Sequence, residues 1–200
     1  MTEPMELLKN YNGRVSQLIT LLDLDAVTRV LAEIQRVRDA GGMIYLAGNG
    51  GSSATAAHLA NDLGKAAKRS RRRPIKVVCL TDNTPWLTAL SNDEGYERSL
   101  SGQLENFATP GDLLIVISAS GNSANLLNAV AVAKSRGVTT AALLGFDGGR
   151  LKSLADLVVW VRSEIGEYEA VEDSHMVICH GLVRCLVEDV VQPGSPERAQ

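Results

Sequence analysis

Short apolar runs alternate with helix-patterned segments along most of the chain, and no other feature narrows the fold so far. The runs are Met43–Ala47, Lys76–Leu80, Leu113–Ile117, Thr139–Leu144 and Leu157–Val161. Helical spacing of apolar residues marks Ser53–Lys68, Asn122–Ser135 and Glu172–Val191 between and after them. Strands buried on both faces read as continuous apolar runs, and strands joined through helices run parallel, because a tight hairpin joins only antiparallel neighbours. The pattern predicts an α/β fold, a three-layer sandwich with a five-stranded parallel sheet at its centre. Ahead of the first strand, Val15 to Ala40 predicts helix, with Val27, Val30, Leu31, Ile34 and Val37 on one stripe and Gly41-Gly42 as the stop. For 200 residues one domain is expected, covering 1–191 and including N-terminal helices within 1–40. Residues 192–200, with prolines, a glycine and almost nothing apolar, predict a flexible tail.

Charge and cysteine usage argue against several partner classes. The formal net charge is −3, so the basic run Lys68-Arg69-Ser70-Arg71-Arg72-Arg73 is offset elsewhere and reads as a solvated loop rather than a nucleic-acid patch. Cys79, Cys179 and Cys185 sit in apolar segments without CxxC spacing, which suits core residues in a reducing compartment. Met1-Thr-Glu-Pro-Met-Glu does not start a secretory leader, and no apolar run is long enough to cross a bilayer. A cytoplasmic protein with neither membrane nor nucleic-acid partners is expected.

One arrangement occurs twice: Ile44-Tyr-Leu-Ala-Gly-Asn-Gly-Gly-Ser-Ser and Ile115-Val-Ile-Ser-Ala-Ser-Gly-Asn-Ser. Each is a buried strand running into a Gly/Ser/Asn loop and then a helix. Ligands of open α/β sheets gather beyond the carboxyl ends of strands, so both loops should open on one edge. The N–H groups that begin a helix lack intrahelical acceptors and favour anions, and Ser118, Ser120 and Ser123 add hydroxyls without charge, which describes a phosphate cradle. Helix capping by the same serines and asparagines is the simpler reading of either loop alone. A dinucleotide site fits poorly, since Ser53 stands where the third glycine would, and no Gly-Lys-Ser/Thr of a Walker loop is present.

All three histidines lie in two helical segments. His58 and Asp62 are an i, i+4 pair that shares a helix face, a spacing that can grip one metal ion or one substrate. The last helix opens with Glu169, Glu172 and Asp173 and reaches His180 two turns later; at ~100° per residue Asp173 aligns with His180 better than Glu172 does. His175 reads as a core residue or as one that backs the site ligands. Two imidazoles and two carboxylates suit a borderline divalent ion such as zinc, and such an ion can polarise a carbonyl during proton transfer between adjacent sugar carbons.

Six motifs in order carry a resemblance over nearly the whole chain. Gly48-Asn-Gly-Gly-Ser52, His58-x-x-x-Asp62, Asn92-Asp93-x-Gly95-Tyr96, Ser118-Ala-Ser-Gly-Asn-Ser123, Gly145-Phe-Asp-Gly-Gly149 and Glu172-x-x-His175-x-x-x-x-His180 resemble the phosphoheptose isomerases. These enzymes have the sugar isomerase (SIS) fold, which is flavodoxin-like, and interconvert sedoheptulose 7-phosphate and D-glycero-D-manno-heptose 7-phosphate. By that resemblance Asn49, Gly50 and Gly51 line the sugar site, Asn92 and Asp93 touch substrate, and Ser118, Ala119, Ser120 and Ser123 hold the phosphate. One zinc ion per subunit would lie among His58, Asp62, Glu172 and His180, with Glu172 also facing substrate, Asp62 as general base and His180 as acid. The family pattern has glutamate at position 62 and glutamine at 172. The shorter acid shifts the base by one methylene, and the extra carboxylate adds negative charge beside the ion. The resemblance also implies a homotetramer with active sites where subunits meet, in which the N-terminal helix is an assembly element; its apolar stripe equally suits covering its own sheet.

Three rival functions follow. An isomerase of an octulose or hexulose phosphate would share the pocket chemistry. A non-catalytic SIS protein that binds the replication initiator would lack the metal-ligand histidines, whereas His58 and His180 are both here. A sugar-phosphate sensor would need an attached effector domain, for which no segment is evident.

Overall fold

The computed structural model describes residues 3–70 and 72–188. The tail at 192–200 and, from the basic run, Arg71 and the side chains at 68–70 lie outside the described residues. Helices α1 (Pro4–Thr20) and α2 (Leu24–Ala40) precede a Rossmann-like alternation of β1 (Met43–Gly48), α3 (Gly50–Ser70), β2 (Lys76–Cys79), α4 (Thr84–Asp93), α5 (Ser101–Phe107), β3 (Leu113–Ser118), α6 (Ala124–Ser135), β4 (Thr139–Leu144), α7 (Leu151–Leu154), β5 (Leu157–Trp160) and α8 (Tyr168–Val187). All five strands are parallel, in the order β2-β1-β3-β4-β5.

Side chains alternate across the sheet and feed two cores. Ile44 and Leu46 of β1 with Leu113, Ile115 and Ile117 of β3 meet α2, α3 and α8 through Ile34, Leu63 and Ile178. Tyr45, Ala47, Leu114 and Val116 face the other way, onto Leu104 of α5, Leu126 and Val130 of α6 and Leu151 of α7. Both faces of the sheet are thus covered, which is why its strands show no polar alternation. The expected three-layer sandwich is the observed one.

The helix expected from Val15 to Ala40 is two helices. Asp23 interrupts it: its side chain accepts a hydrogen bond from the Ala26 N–H at 3.0 Å and starts α2 afresh. Such a cap competes with the continuous helix, and the apolar pair Leu21-Leu22 hides the break from a reading of periodicity. Gly41 ends α2 in the left-handed region, as the stop predicted. α1 buries only Leu18 and lies across α8, tied there by a two-pronged Arg14–Glu167 ion pair (2.8 and 2.8 Å) and by Tyr11 donating to Asp173 at 2.5 Å. Met5, Leu7 and Leu8 remain largely exposed. Helices α4, α5 and α7 were not expected; they are short and carry weak periodicity.

Candidate active site

Strand order reverses between β1 and β3, because the chain proceeds from β1 outward to β2 and later from β3 outward to β4 and β5. The crevice at such a switch point is where open α/β sheets bind ligands. Gly48, the last residue of β1, pairs with Ile117, one residue before the end of β3. The two polar loops therefore emerge side by side, on one edge.

The Ser118–Ser123 loop is braced from below. The Ser118 hydroxyl accepts from Gly121 N (3.0 Å), Gly145 N donates to Ala119 O (3.1 Å), Leu151 N to Gly121 O (3.0 Å), and Arg150 N to the Asn122 side-chain oxygen (3.0 Å). Gly121 has φ +63°, and a Cβ there would overlap the Gly148 carbonyl, so the loop needs glycine for both reasons. The Gly145–Gly149 motif is thus a support for the neighbouring loop. Ser123 stands at the N-cap of α6 without using its side chain as a cap, and Ser120 is partly exposed. Capping alone does not explain Ser123, and its hydroxyl stays beside the N–H groups that begin α6, where an anion is favoured.

Asn49 of the first loop joins the second. Its side-chain amide exchanges two hydrogen bonds with Asn125 of α6 (2.9 and 2.8 Å), and its oxygen also accepts from the Tyr96 hydroxyl (2.9 Å). Gly50 is exposed at the start of α3. Asn92 and Asp93 lie exposed at the end of α4 and bond to each other at 2.8 Å. Among the described residues it is Tyr96, three positions further, that reaches the loops.

α8 lies along α3 in parallel register. Glu172 meets Gly51 closely enough that a Cβ on Gly51 would overlap its carboxyl group. Eight residues further on, His180 Nε2 lies 3.2 Å from His58 Nε2, with ring centroids 5.1 Å apart. Asp62 Oδ2 is 3.3 Å from His58 Nε2 and 4.0 Å from His180 Nε2. Lys65 Nζ and the Asn61 side-chain amide hold its other oxygen, both at 3.2 Å. His58, Asp62 and His180 thus converge, each offering a ligand atom within 4.8 Å of the others. Glu172 is not in this group: it stands roughly 12 Å nearer the start of α8 by helical rise, beside the Gly48–Ser52 loop. Asp173 faces Tyr11 of α1 instead of His180, because α8 carries α1 on that flank. His175 is fully buried, as a core residue.

Next to the cluster in sequence, burial pushes the Cys179 thiol to about 12, with the Asp62 charge adding to the rise. Ser53 and Thr81 share a 2.7 Å hydroxyl contact that links the first turn of α3 to the end of β2, and Cys79 Sγ lies 3.1 Å from the same Thr81 oxygen. Sequence reasoning missed Asn125, Lys65 and the contact of Tyr96. Lys65, at i+3 from Asp62, was legible from spacing; a buried asparagine in the first turn of α6 carried no such signal. A cavity of about 400 Å³ lies at the other end of the sheet, between Met43, Lys76 and Asp112. That is the amino edge of the strands, and the Asp112 carboxylate there is already engaged by Met43 N, Thr109 N and the Thr109 hydroxyl.

Comparison with known proteins identifies the family. Residues 10–145 match the SIS domain. The phosphoheptose isomerase of Chlorobaculum parvum is 37% identical over 182 residues, 90% of this chain and 86% of that protein. That of Nitratiruptor is 42% identical over 145 residues, 72% and 76% of the two chains. The solved phosphoheptose isomerase of Neisseria gonorrhoeae superposes with a TM-score of 0.83 at 27% identity, covering 94% of this chain and 100% of that one. The chain belongs to the phosphoheptose isomerase family of SIS-domain proteins, which makes it a sugar-phosphate isomerase.

Proposed function

We propose that the chain interconverts sedoheptulose 7-phosphate and D-glycero-D-manno-heptose 7-phosphate by acid/base proton transfer. The observation that carries this is the convergence of His58, Asp62 and His180 on the helix that the sugar loop begins. The rise from Gly50 to His58 is about 12 Å, the scale of an extended seven-carbon phosphate.

The donor set suits zinc: two imidazole nitrogens 3.2 Å apart, with a carboxylate oxygen 3.3 and 4.0 Å from them, belong to the residues that would hold one ion. Held there, zinc would polarise the substrate carbonyl; an oxygen or nitrogen committed to the ion exchanges no proton, so Asp62 and His180 would act as base and acid only through atoms the ion leaves free. The residues do the rest. Ser118, Ser120 and Ser123, with the Ala119 backbone, hold the phosphate, while Asn49, Gly50 and Gly51 line the sugar and Glu172 bounds it from α8. Asp62 removes a proton from C1 of the ketose, the C–H electron pair becomes the C1–C2 double bond of an enediol, and His180 protonates O2. Return of a proton to C2 as His180 takes the one on O1 gives the aldose. Asn92 and Asp93 contact substrate from α4 in this reading.

A second reading is supported by Asp62 itself. One methylene shorter than glutamate and tethered by Lys65 and Asn61, it draws the base toward α3, which favours a differently placed or longer ketose such as an octulose phosphate. A homotetramer is proposed as well, because Met5, Leu7 and Leu8 of α1 would otherwise face water. A phosphorylated, membrane-impermeant substrate fits the cytoplasm, and among the described residues no helix is long and apolar enough to cross a membrane. Metal-replete protein incubated with six-, seven- and eight-carbon ketose phosphates, with products read by NMR, decides between the readings. Turnover of none of them would remove the enzymatic proposal.

A further inference from the structure

We propose that Asn125, which lies behind the sugar loop, is a positioning residue that fixes the hydrogen-bond polarity of Asn49 toward the sugar. The proposal rests on the isomerase reading of the site. Asn125 is 2% exposed, in the first turn of α6, so its side chain is set by protein partners alone. Its oxygen accepts from Leu126 N at 3.0 Å. That N–H is shared with the Ser123 carbonyl at 3.1 Å, but it can only donate, so an amide nitrogen 3.0 Å from it would face a like group and the contact favours the Asn125 oxygen there. The nitrogen of Asn125 must then face the Asn49 oxygen, and the Asn49 nitrogen must face the Asn125 oxygen, as the 2.8 and 2.9 Å contacts record.

The chain of constraint ends at the ligand. Flipping the Asn49 amide would set NH2 against NH2 across the Asn125 pair; the Tyr96 hydroxyl, which donates to the Asn49 oxygen at 2.9 Å, could turn to accept, so the polarity is held by Asn125. Held as it is, Asn49 has a full oxygen and one N–H without a partner among the described residues. Half-buried at the mouth of the crevice, it presents a donor and no acceptor. A sugar hydroxyl or carbonyl oxygen is what such a group selects. Tyr96 is placed for its part by α6, since the Asn128 side chain donates to the Glu97 carbonyl at 3.0 Å. One helix therefore begins the phosphate cradle, orients the sugar-loop amide and seats the tyrosine that secures it.

A double-mutant cycle tests the proposal. Sedoheptulose 7-phosphate binding by calorimetry and its turnover are measured for wild type, N125A, N49A and the double variant, with inhibition by inorganic phosphate read in parallel. N125A should weaken sugar-phosphate affinity and kcat/KM about 10-fold while Asn49 is present, and less than about 3-fold in the N49A background. Inorganic phosphate should inhibit N125A within about 2-fold of wild type, because the serine loop keeps its own braces. N125D, which keeps both acceptor contacts but cannot donate to Asn49, should reproduce the loss and serves if N125A does not fold. Equal losses in both backgrounds, or phosphate inhibition weakening in step, would make Asn125 a structural prop and overturn the proposal. Binding that is coupled as described in a protein without turnover would overturn the isomerase reading alone.

Discussion

Acidification should weaken the fold through one imidazole. His175 has no solvent exposure, and neither ring nitrogen has a hydrogen-bond partner. Burial pushes its pKa from 6.5 down to about 4; the Leu144 backbone acts in the opposite sense but lies outside hydrogen-bond geometry to either nitrogen, so it offsets little. The unfolded chain therefore binds a proton that the folded chain refuses between these two values. Stability is full above about pH 6.5 and is lost as the pH falls toward 4. At 1.36 kcal/mol per unit the whole shift is worth about 3 kcal/mol, most of which is gone by about pH 4.5. Other groups titrate over the same range, so the comparison is with His175→Leu, which keeps them and removes this one. Urea unfolding at about pH 7 and pH 4.5 should show the wild type losing roughly 2 to 3 kcal/mol more than the variant. Equal losses would mean that His175 accepts its proton in the folded protein, and the reasoning from its burial would be wrong.

Three further outcomes follow from the site. His180→Ala should lower kcat by about 10²- to 10⁴-fold with an unchanged thermal midpoint, since the exposed ring supports no core; steady-state kinetics beside a melting curve checks both. Ser120→Ala should raise KM more than it lowers kcat, because a phosphate contact acts equally on ground and transition states; a fall in kcat alone would refute the assignment. Asp62→Glu moves the carboxylate by about 1 Å, a displacement that can change rate on the order of 10²-fold. If the shorter acid is matched to a different ketose, activity on that ketose falls in this variant; a large gain on sedoheptulose 7-phosphate would favour the heptose reading.

The layers of this fold were legible because apolar runs and helix spacing each leave a repeating mark, and β1 and β3 agree with their expected starts. The break at Asp23 was not, since one capping side chain decides it against an otherwise favourable stripe. Within the site, the i, i+4 pair of His58 and Asp62 read directly from spacing. Bringing His180 to that pair required the packing of α8 on α3, which sequence supplied only through the family resemblance. The same packing separates Glu172 from the cluster, a consequence of parallel register that no spacing along one helix contains. Asn125 was invisible because its role lies in a reciprocal contact with a residue 76 positions away.

Proton transfer between C1 and C2 of a ketose phosphate leaves a direct trace in heavy water. Metal-replete protein should convert sedoheptulose 7-phosphate, or the octulose analogue if Asp62 selects it, into an aldose phosphate bearing deuterium at C2, seen by NMR. Substrate recovered with every carbon-bound proton intact, from an incubation at stoichiometric protein, would contradict the assignment of His58, Asp62 and His180 to isomerisation.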